Sequence, residues 1–189
     1  MLGDGSLLAT NYTPTGTGSE GERYRVRGSV GFNIGDVLAW SPSGGWSHIP
    51  NTTGALPNGI AAAKDESEFY FADAGAWRIA IVPRHAQAKL SNRIHIGGAP
   101  DNLSVSDDGR VLAAVVNFSG DLPLLCAVGG RQCHVGWAIW ELDPKTHGTT
   151  ELVADAGIVL RTASSALQVG NYILIGSMDD DRIGVYRRY

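Results

Sequence analysis

Short apolar runs, each preceded by a turn, recur four times along the chain. In each unit an acidic or glycine-containing turn leads into an apolar run that ends in a polar residue. The turns are Gly3–Gly5, Asp65–Ser67, Asp107–Gly109 and Gly170–Asn171, and the runs end at Asn11, Asp73, Asn117 and Asp179. Short apolar runs bounded by turn residues predict β-strands. Helical periodicity is poor throughout, so the pattern predicts an all-β protein.

Further short strands surround these four. The segments GIAAA, LSVS and ALQV precede the last three units, and WRIAIVPR and RIGVYRR follow the second and fourth. The third unit resumes with WAIWELDP after a long insertion between Asn117 and Trp137, which we interpret as a loop. Three or four short strands in each repeat of about 40–50 residues are typical of a β-propeller. A β-sandwich with irregular loops is the alternative.

The number of repeats predicts an incomplete ring. Three to four blades rarely close a propeller, so we interpret residues 1–189 as a single propeller domain that lacks its N-terminal blades. The first residues form a turn and then a strand, as if the chain began inside a fold. An open ring leaves unpaired strand edges. We therefore expect the chain, expressed alone, to aggregate or self-associate.

Composition excludes several classes of protein. Hydrophobic residues are 43% and charged residues 18%, which indicates a globular rather than a disordered chain. The net charge is −4 with no basic block, which argues against a nucleic-acid partner. No apolar run is long enough to predict a membrane span. The first ten residues do not resemble a signal peptide, which leaves a cytoplasmic protein and a truncated secreted one as alternatives.

Two motifs are set aside. Residues 16–21 fit G-x-G-x-x-G, but a dinucleotide site needs a helix directly afterwards, and the following ERYRVRG alternates like a strand. We therefore interpret residues 13–22 as a flexible loop. Cys126 and Cys133, with His134 beside them, lack the fourth ligand and the spacing of a zinc site. A disulfide and two free thiols are both open for this pair.

Polar residues stand at equivalent places before two strands. Asn58 lies in LPNGI, and Asp101 and Asn102 lie in APDNL, 43 residues or one blade period later. The first strand of a blade lies nearest the propeller axis, so polar residues at its start would converge from successive blades. Amide and carboxylate oxygens are hard donors that suit calcium. The alternative is that these residues only form turns before strands.

The chain resembles the calcium-dependent propeller hydrolases, a group that includes gluconolactonases, strictosidine-synthase-like proteins and paraoxonases/arylesterases. The paraoxonase/arylesterase branch is the most similar, through PNGIAAAKDESEFYFADAGAWRIAIV, PDNLSVSDDGRVLAAVV and SSALQVGNYILIGSMDDDRIGVY. SLLATNY resembles a strand that ends in a metal-binding asparagine, and WSPSGGW the hairpin before the asparagine-glycine pair. The resemblance covers this whole chain but only the C-terminal half to two-thirds of a family member, and it implies a six-bladed propeller.

The resemblance also implies a site and an activity. Asn11, Asn58, Asp101 and Asn102 would bind one catalytic calcium ion, which acts as a Lewis acid on the carbonyl of an ester or lactone substrate. Asp101 would serve as base or nucleophile. Tyr12 stands where members often carry a carboxylate for a second, structural calcium, so we expect a single ion. The alternatives are a non-catalytic propeller fragment or binding module, and a strictosidine-synthase-like condensing enzyme.

Overall fold

The computed structural model of the chain describes residues 2–14, 18–84, 92–117 and 134–188. The described residues form one α-helix, one short 3-10 helix and fourteen strands. The helices are α1 (Gly18–Ser29) and the 3-10 helix Ala74–Ala76. The strands are β1 (Leu7–Asn11), β2 (Asp36–Ser41), β3 (Gly45–His48), β4 (Pro57–Ala62), β5 (Glu68–Asp73), β6 (Arg78–Pro83), β7 (Asn92–His95), β8 (Ala99–Val105), β9 (Val111–Val116), β10 (Trp137–Leu142), β11 (Thr149–Asp155), β12 (Ser165–Val169), β13 (Tyr172–Gly176) and β14 (Gly184–Arg187).

The described strands form four antiparallel sheets in which sequence neighbours pair. They are β1–β3, β4–β7, β8–β11 and β12–β14. Tight turns join β8 to β9 and β12 to β13, where Gly109 at φ 83° and Gly170 at φ 58° adopt the left-handed conformation that these turns require. The predicted repeats are confirmed, because each apolar run of the sequence is a strand of one such sheet. Residues 118–133 of the predicted insertion, which include the two cysteines, lie outside the described residues.

The chain divides into two compact units, Met1–His95 and Ile96–Tyr189. In the first unit, sheets β1–β3 and β4–β7 pack face to face. Their shared core consists of buried apolar side chains that are wholly or almost wholly shielded from solvent: Val37, Phe69, Phe71, Ala80 and Val82. Strand β5 is buried along nearly its whole length. A strand with both faces covered needs apolar residues at every position, which explains the continuous run FYFA.

Strand β1 runs antiparallel to β4 across this packed pair. Near the start of β1, the backbone N–H of Gly3 donates to Glu66 Oε1 (2.6 Å), and Glu66 lies in the turn after β4. Near its end, Thr10 Oγ1 donates to the carbonyl of Asn58 at the start of β4 (2.5 Å). The end of β1 and the start of β4 therefore lie side by side.

In the second unit the first strands of the two sheets, β8 and β12, run parallel to each other. Asn102 N donates to Ser164 O (3.2 Å) and Ser104 Oγ to Ala166 O (2.7 Å), so β12 follows β8 in parallel. The core between sheets β8–β11 and β12–β14 contains Trp137, whose indole N–H donates to the carbonyl of Leu160 (2.9 Å). Strands that begin successive blades of a propeller run in one direction, which fits β8 and β12. By the same criterion β1 occupies the place of a second strand.

The predicted strand ERYRVRG is wrong, because these residues lie in helix α1. Glu22 and Arg25 form an ion pair three positions apart, and Arg27 lies in the last turn, where a cation stabilises a helix. The buried residues of the helix are Gly21 and Gly28, and Gly28 contacts Leu56. A buried face made of glycine carries no apolar signal, so the alternation of Arg with Tyr and Val dominated the pattern.

The helix also changes the argument about the glycine motif of residues 16–21. We set that motif aside because we expected a strand rather than a helix after it, and this reason is wrong, since α1 begins at Gly18. A dinucleotide motif further requires a parallel β-α-β unit. The strands on either side of α1, β1 and β2, pair antiparallel.

Of the described helices, neither is long and apolar enough to cross a membrane.

The half-buried carboxylate of Asp180, near the end of the second unit, makes the stability of the fold depend on pH. Asp180 accepts hydrogen bonds from the backbone N–H of Arg161 (2.7 Å), the Arg161 side chain (3.0 Å) and Ser177 Oγ (2.9 Å). Burial alone raises the pKa of Asp180, but these donors and the Arg161 charge outweigh it, and the pKa is lowered. A carboxylate whose pKa is lower in the folded than in the unfolded chain stabilises the fold at a pH above the unfolded pKa of about 3.9. This stabilisation is lost as the pH falls through the pKa of the folded state.

We therefore expect Asp180→Asn to flatten the loss of stability on acidification. Urea unfolding between about pH 5 and pH 2.5 measures it, since that window contains the unfolded value and extends below it. The matched control is Asp181→Asn, because the Asp181 side chain is 88% exposed and pairs with Arg182 at the surface. Identical pH profiles for wild type and Asp180→Asn would contradict the assignment.

Candidate functional site

Two equivalent β-bulges carry the polar residues of the candidate site. Between Pro57 and Ile60, strand β4 advances three residues while its partner β5 advances two. Strand β8 does the same between Pro100 and Leu103 against β9. An extra residue turns side chains out of the regular alternation, and bulges are common beside active sites. In each bulge two residues lie opposite one residue of the partner strand, and these two are Asn58–Gly59 in β4 and Asp101–Asn102 in β8. Each bulge therefore contains predicted ligands.

The segment before Asn58 is strained. Leu56 is buried and has φ 57°, a left-handed conformation that a branched side chain rarely adopts. Such strain costs about 1–3 kcal/mol and persists only where surrounding contacts enforce it. Here the carbonyl of Leu56 accepts from Ala74 N (3.3 Å), and the carbonyl of Asn58 accepts from Thr10 Oγ1 (2.5 Å). The start of β4 is therefore held from two sides.

Asp73, at the end of β5, restrains the same segment through the residue before Leu56. Its carboxylate is fully buried, accepts from the backbone N–H of Ala55 (2.6 Å) and pairs with Arg78 (2.7 Å) and with Arg93. Arg93 also lies over the ring of Phe71, with 5.9 Å between the guanidinium carbon and the ring centroid. Burial lowers the pKa of Arg93, and the charge of Asp73 opposes that effect. The sequence analysis identified Asp73 only as the residue that ends a predicted strand.

Asn11 ends β1 and is oriented by a residue that the sequence analysis missed. Its Nδ2 donates to Asp36 Oδ1 (3.1 Å), and Asp36 lies directly opposite it on β2. Asp36 also contacts the ring nitrogen Nδ1 of His48, which lies near the end of β3. With its NH₂ group engaged, the carboxamide of Asn11 presents its oxygen as the remaining acceptor. Such second contacts commonly orient metal ligands.

Asn102 is oriented in the same way in the second unit. Its Nδ2 donates to the carbonyl of Ser164 (2.8 Å), which also accepts from the backbone N–H of Asn102. The side chain of Asn102 is exposed, and that of Asp101 is half-buried. The amide oxygen of Asn102 and the carboxylate of Asp101 come from neighbouring positions of one bulge. They are hard oxygen donors of the kind that calcium takes.

The structure brings the predicted residues together as two pairs. Asn11 and Asn58 lie at one end of the first unit, where Gly35 sits between the carbonyl of Asn11 and the ring of Pro57. Asp101 and Asn102 are adjacent in the second unit. Within the described ranges, no group of three or more His, Cys, Asp or Glu could hold a metal. A metal held by these residues would therefore depend on amide oxygens.

A cavity of about 650 Å³ in the first unit is separate from these residues. It lies along the first half of β1, with Leu2, Leu8, Phe69 and Arg84 among its lining residues, and neither Asn11 nor Asn58 lines it. Arg84 is paired with Glu66 (2.8 Å) and with Asp4. The cavity is a mostly apolar gap between two packed sheets.

Comparison with known proteins supports the architecture. No protein-family model matches the chain, and no curated protein sequence matches it significantly. Solved structures that match include a luciferin-regenerating enzyme (16% identity, 90% of this chain and 53% of that one, TM-score 0.53) and a protein described as a gluconolactonase (15%, 80% and 51%, 0.54). A third is assigned as a 6-phosphogluconolactonase from Bacteroides fragilis (12%, 97% and 51%, 0.55).

The chain spans about half the length of these solved structures. At such low identity the likeness shows the fold, and function has to be argued from the site. The fold is accordingly all-β, a partial β-propeller.

Proposed function

We propose that this chain is a calcium-dependent hydrolase of esters or lactones, with Asn11, Asn58, Asp101 and Asn102 as the calcium ligands. The observation that carries the proposal is the pair of equivalent bulges that begin β4 and β8. A bulge disrupts the ladder and weakens the strand locally, so the same bulge at the same place in two sheets argues for a shared purpose. Both bulges present oxygen-bearing side chains.

The donor set fits calcium. Calcium takes oxygen ligands from carboxylates, amide side chains and water, and it accepts irregular geometry. The carboxamides of Asn11 and Asn102 have their NH₂ groups bound to Asp36 and Ser164, so each is set to accept rather than donate. Only Asp101 contributes a negative charge. With so little charge we expect weak binding, with a dissociation constant on the order of 10⁻⁴–10⁻³ M.

The chemistry then divides between the ion and the chain. When bound, calcium would supply Lewis-acid polarisation of the substrate carbonyl. Asp101 takes the proton of a water whose oxygen attacks the carbonyl carbon, the bond to the leaving oxygen breaks, and the proton passes to that oxygen. Asp101 has a second possible role as the nucleophile. Its carboxylate would attack the carbonyl carbon and expel the leaving oxygen, which takes up a proton from water, and water would then hydrolyse the resulting anhydride. Asn102, the neighbour of Asp101 in the same bulge, would help to hold the reacting group.

The resemblance to the paraoxonase/arylesterase branch extends the proposal to substrates. Aryl esters and lactones share a carbonyl with a good or strained leaving oxygen, which a single carboxylate can help to expel. Two of the solved neighbours carry names of lactonases, which supports the same class of bond. We therefore expect phenyl acetate and simple lactones to be hydrolysed.

The test combines binding with turnover. We expect calorimetry to show calcium binding, hydrolysis to stop when a chelator is added, and Asp101→Asn to reduce both the affinity and the rate at least tenfold. Asp181→Asn is the matched control, since it removes the same charge from an exposed surface position. Equal hydrolysis with calcium and with chelator would disprove the metal mechanism. Absence of both binding and hydrolysis would favour a non-catalytic module.

A further inference from the structure

The cavity of about 650 Å³ lies within the first unit, between sheets β1–β3 and β4–β7. One wall contains Leu8, Ala39 and Ser47, which stand directly opposite one another on the three strands of sheet β1–β3. Phe69 of β5 and Pro83 of β6 line the cavity from the other sheet. Sites for small molecules are clefts of about 300–1,000 Å³ with mostly apolar walls and a few polar groups. The size and the lining of this cavity match that description.

Small side chains keep the two sheets apart at this place. Val37 on β2 is fully buried in the core that joins the sheets. Ala39 lies two residues further along β2 on the same face, and both Ala39 and its neighbour Ser47 have short side chains. Phe69 belongs to that core and Leu8 packs against it, and both also line the cavity. Protein interiors contain few voids larger than a water molecule, so a gap of this size beside the core is unusual, and a bound molecule would fill it.

The charge around the cavity disfavours a charged ligand. Arg84 is the one charged residue among the described residues that line it, and its Nη1 donates to Glu66 (2.8 Å) and its Nη2 to Asp4. Hydrogen bonds from Ser6 lower the pKa of Asp4, so this carboxylate stays ionised at neutral pH. Two carboxylates beside one guanidinium leave a surplus negative charge, which repels an anion. The apolar walls would desolvate a cation without offering it a partner.

Serine hydroxyls contribute to the polar part of the lining. Ser41 Oγ accepts from the backbone N–H of Gly44 (3.0 Å), which leaves the hydroxyl hydrogen to donate. Ser47 is exposed and lies on β3, the edge strand of the same wall. A hydroxyl group both donates and accepts, so these two serines can bind an uncharged polar atom of either kind.

We propose that this cavity binds one small, uncharged and mainly apolar molecule, whose polar atoms form hydrogen bonds with Ser41 and Ser47. The apolar part of the molecule packs against Leu8 and the other apolar side chains of the lining. Neither Asn11 nor Asn58 lines the cavity. This binding site is therefore separate from the proposed calcium site and does not depend on the proposed hydrolysis.

The first part of the test uses two probes that differ by one charged group. N-phenyl-1-naphthylamine is uncharged, and 1-anilinonaphthalene-8-sulfonate has the same ring system with a sulfonate added. Both fluoresce more strongly in apolar surroundings. In fluorescence titrations we expect one molecule of the uncharged probe to bind per chain, at least tenfold more tightly than the sulfonate. Equal or tighter binding of the sulfonate would contradict the inference that the ligand is uncharged.

Variants that fill the cavity test where the probe binds. Ala39→Phe places a ring in the middle of one wall and Ser47→Phe places one at its edge, and we expect each to weaken binding of the uncharged probe at least tenfold. The matched control is Ser43→Phe, because Ser43 is an exposed residue of the turn between β2 and β3 that does not line the cavity. If Ala39→Phe fails to fold, the exposed position of Ser47 still provides the measurement. Absence of binding to the wild type, unchanged affinity in Ser47→Phe, or an equal loss in Ser43→Phe would each overturn the proposal.

Discussion

Replacing Asp73 with alanine is expected to lower the free energy of unfolding by about 3–5 kcal/mol. The carboxylate is fully buried and has three partners in the first unit, namely the side chains of Arg78 and Arg93 and the backbone N–H of Ala55. Alanine would leave two partly buried guanidinium groups without a counter-charge and one N–H without an acceptor. Losing one partner of a buried pair costs far more than the pair contributes in total, since the remaining charges are still desolvated.

Urea unfolding followed by circular dichroism measures the loss for Asp73→Ala. The matched control is Asp181→Ala, whose ion pair with Arg182 is exposed on both sides and which should cost less than about 1 kcal/mol. If the chain with Asp73→Ala fails to fold, Asp73→Asn provides the second measurement, because its amide oxygen can still accept from Ala55. A loss below about 1 kcal/mol for both Asp73 variants would refute the role of this carboxylate.

Gly35→Ala is expected to separate the ends of β1 and β4 and so to damage the candidate site. A Cβ atom at this position would lie 2.2 Å from the carbonyl oxygen of Asn11 and 2.6 Å from Cδ of Pro57. Both neighbours are rigid, since one is backbone and the other a proline ring. Gly35 also forms an isolated antiparallel bridge with Gly54, which holds the segment in place. We expect a loss of about 1–3 kcal/mol in stability.

The same substitution tests the proposed function at a residue that is not a ligand. Gly35 lies between the carbonyl of Asn11 and the ring of Pro57, which precedes Asn58. We expect a shift of this backbone to move the oxygens of Asn11 and Asn58 apart, so that calcium affinity measured by calorimetry falls at least tenfold. Gly148→Ala is the matched control, because the added methyl would meet only the flexible hydroxyl of Thr146 at 3.2 Å. Unchanged affinity in a folded Gly35→Ala protein would show that these two side chains do not share an ion.

Pattern and turn chemistry predicted most of the strands. The runs EFYFAD and RVLAAVV are strands whose apolar residues are buried between sheets, and YILIG is a strand that buries Ile173 and Ile175. Asp or Gly turns precede all three runs. The equivalence of Asn58 with Asp101 and Asn102 could also be predicted, since each pair follows a proline and precedes a branched residue. The structure adds that both places are bulges with the same offset.

The orientation of the candidate ligands could not be predicted, because it depends on partners distant in sequence. Asn11 is held by Asp36, 25 residues away, and Asn102 by the carbonyl of Ser164, 62 residues away. Neither partner forms a motif with its ligand. Only the pairing of β1 with β2, and of β8 beside β12, brings them within hydrogen-bond distance.

The order of polar and apolar residues thus determined the strands, their turns and the repeat of about one blade, because these depend on neighbours a few residues apart. Tertiary structure decided the helix α1, the antiparallel course of β1 and the buried ion pairs of Asp73. Helix α1 buries glycines, which carry no apolar signal, and it is positioned by contacts with Leu56 and with Gly75. The pairs of Asp73 join strands whose proximity exists only once the sheets have packed, since burial is what makes an unpaired charge costly there.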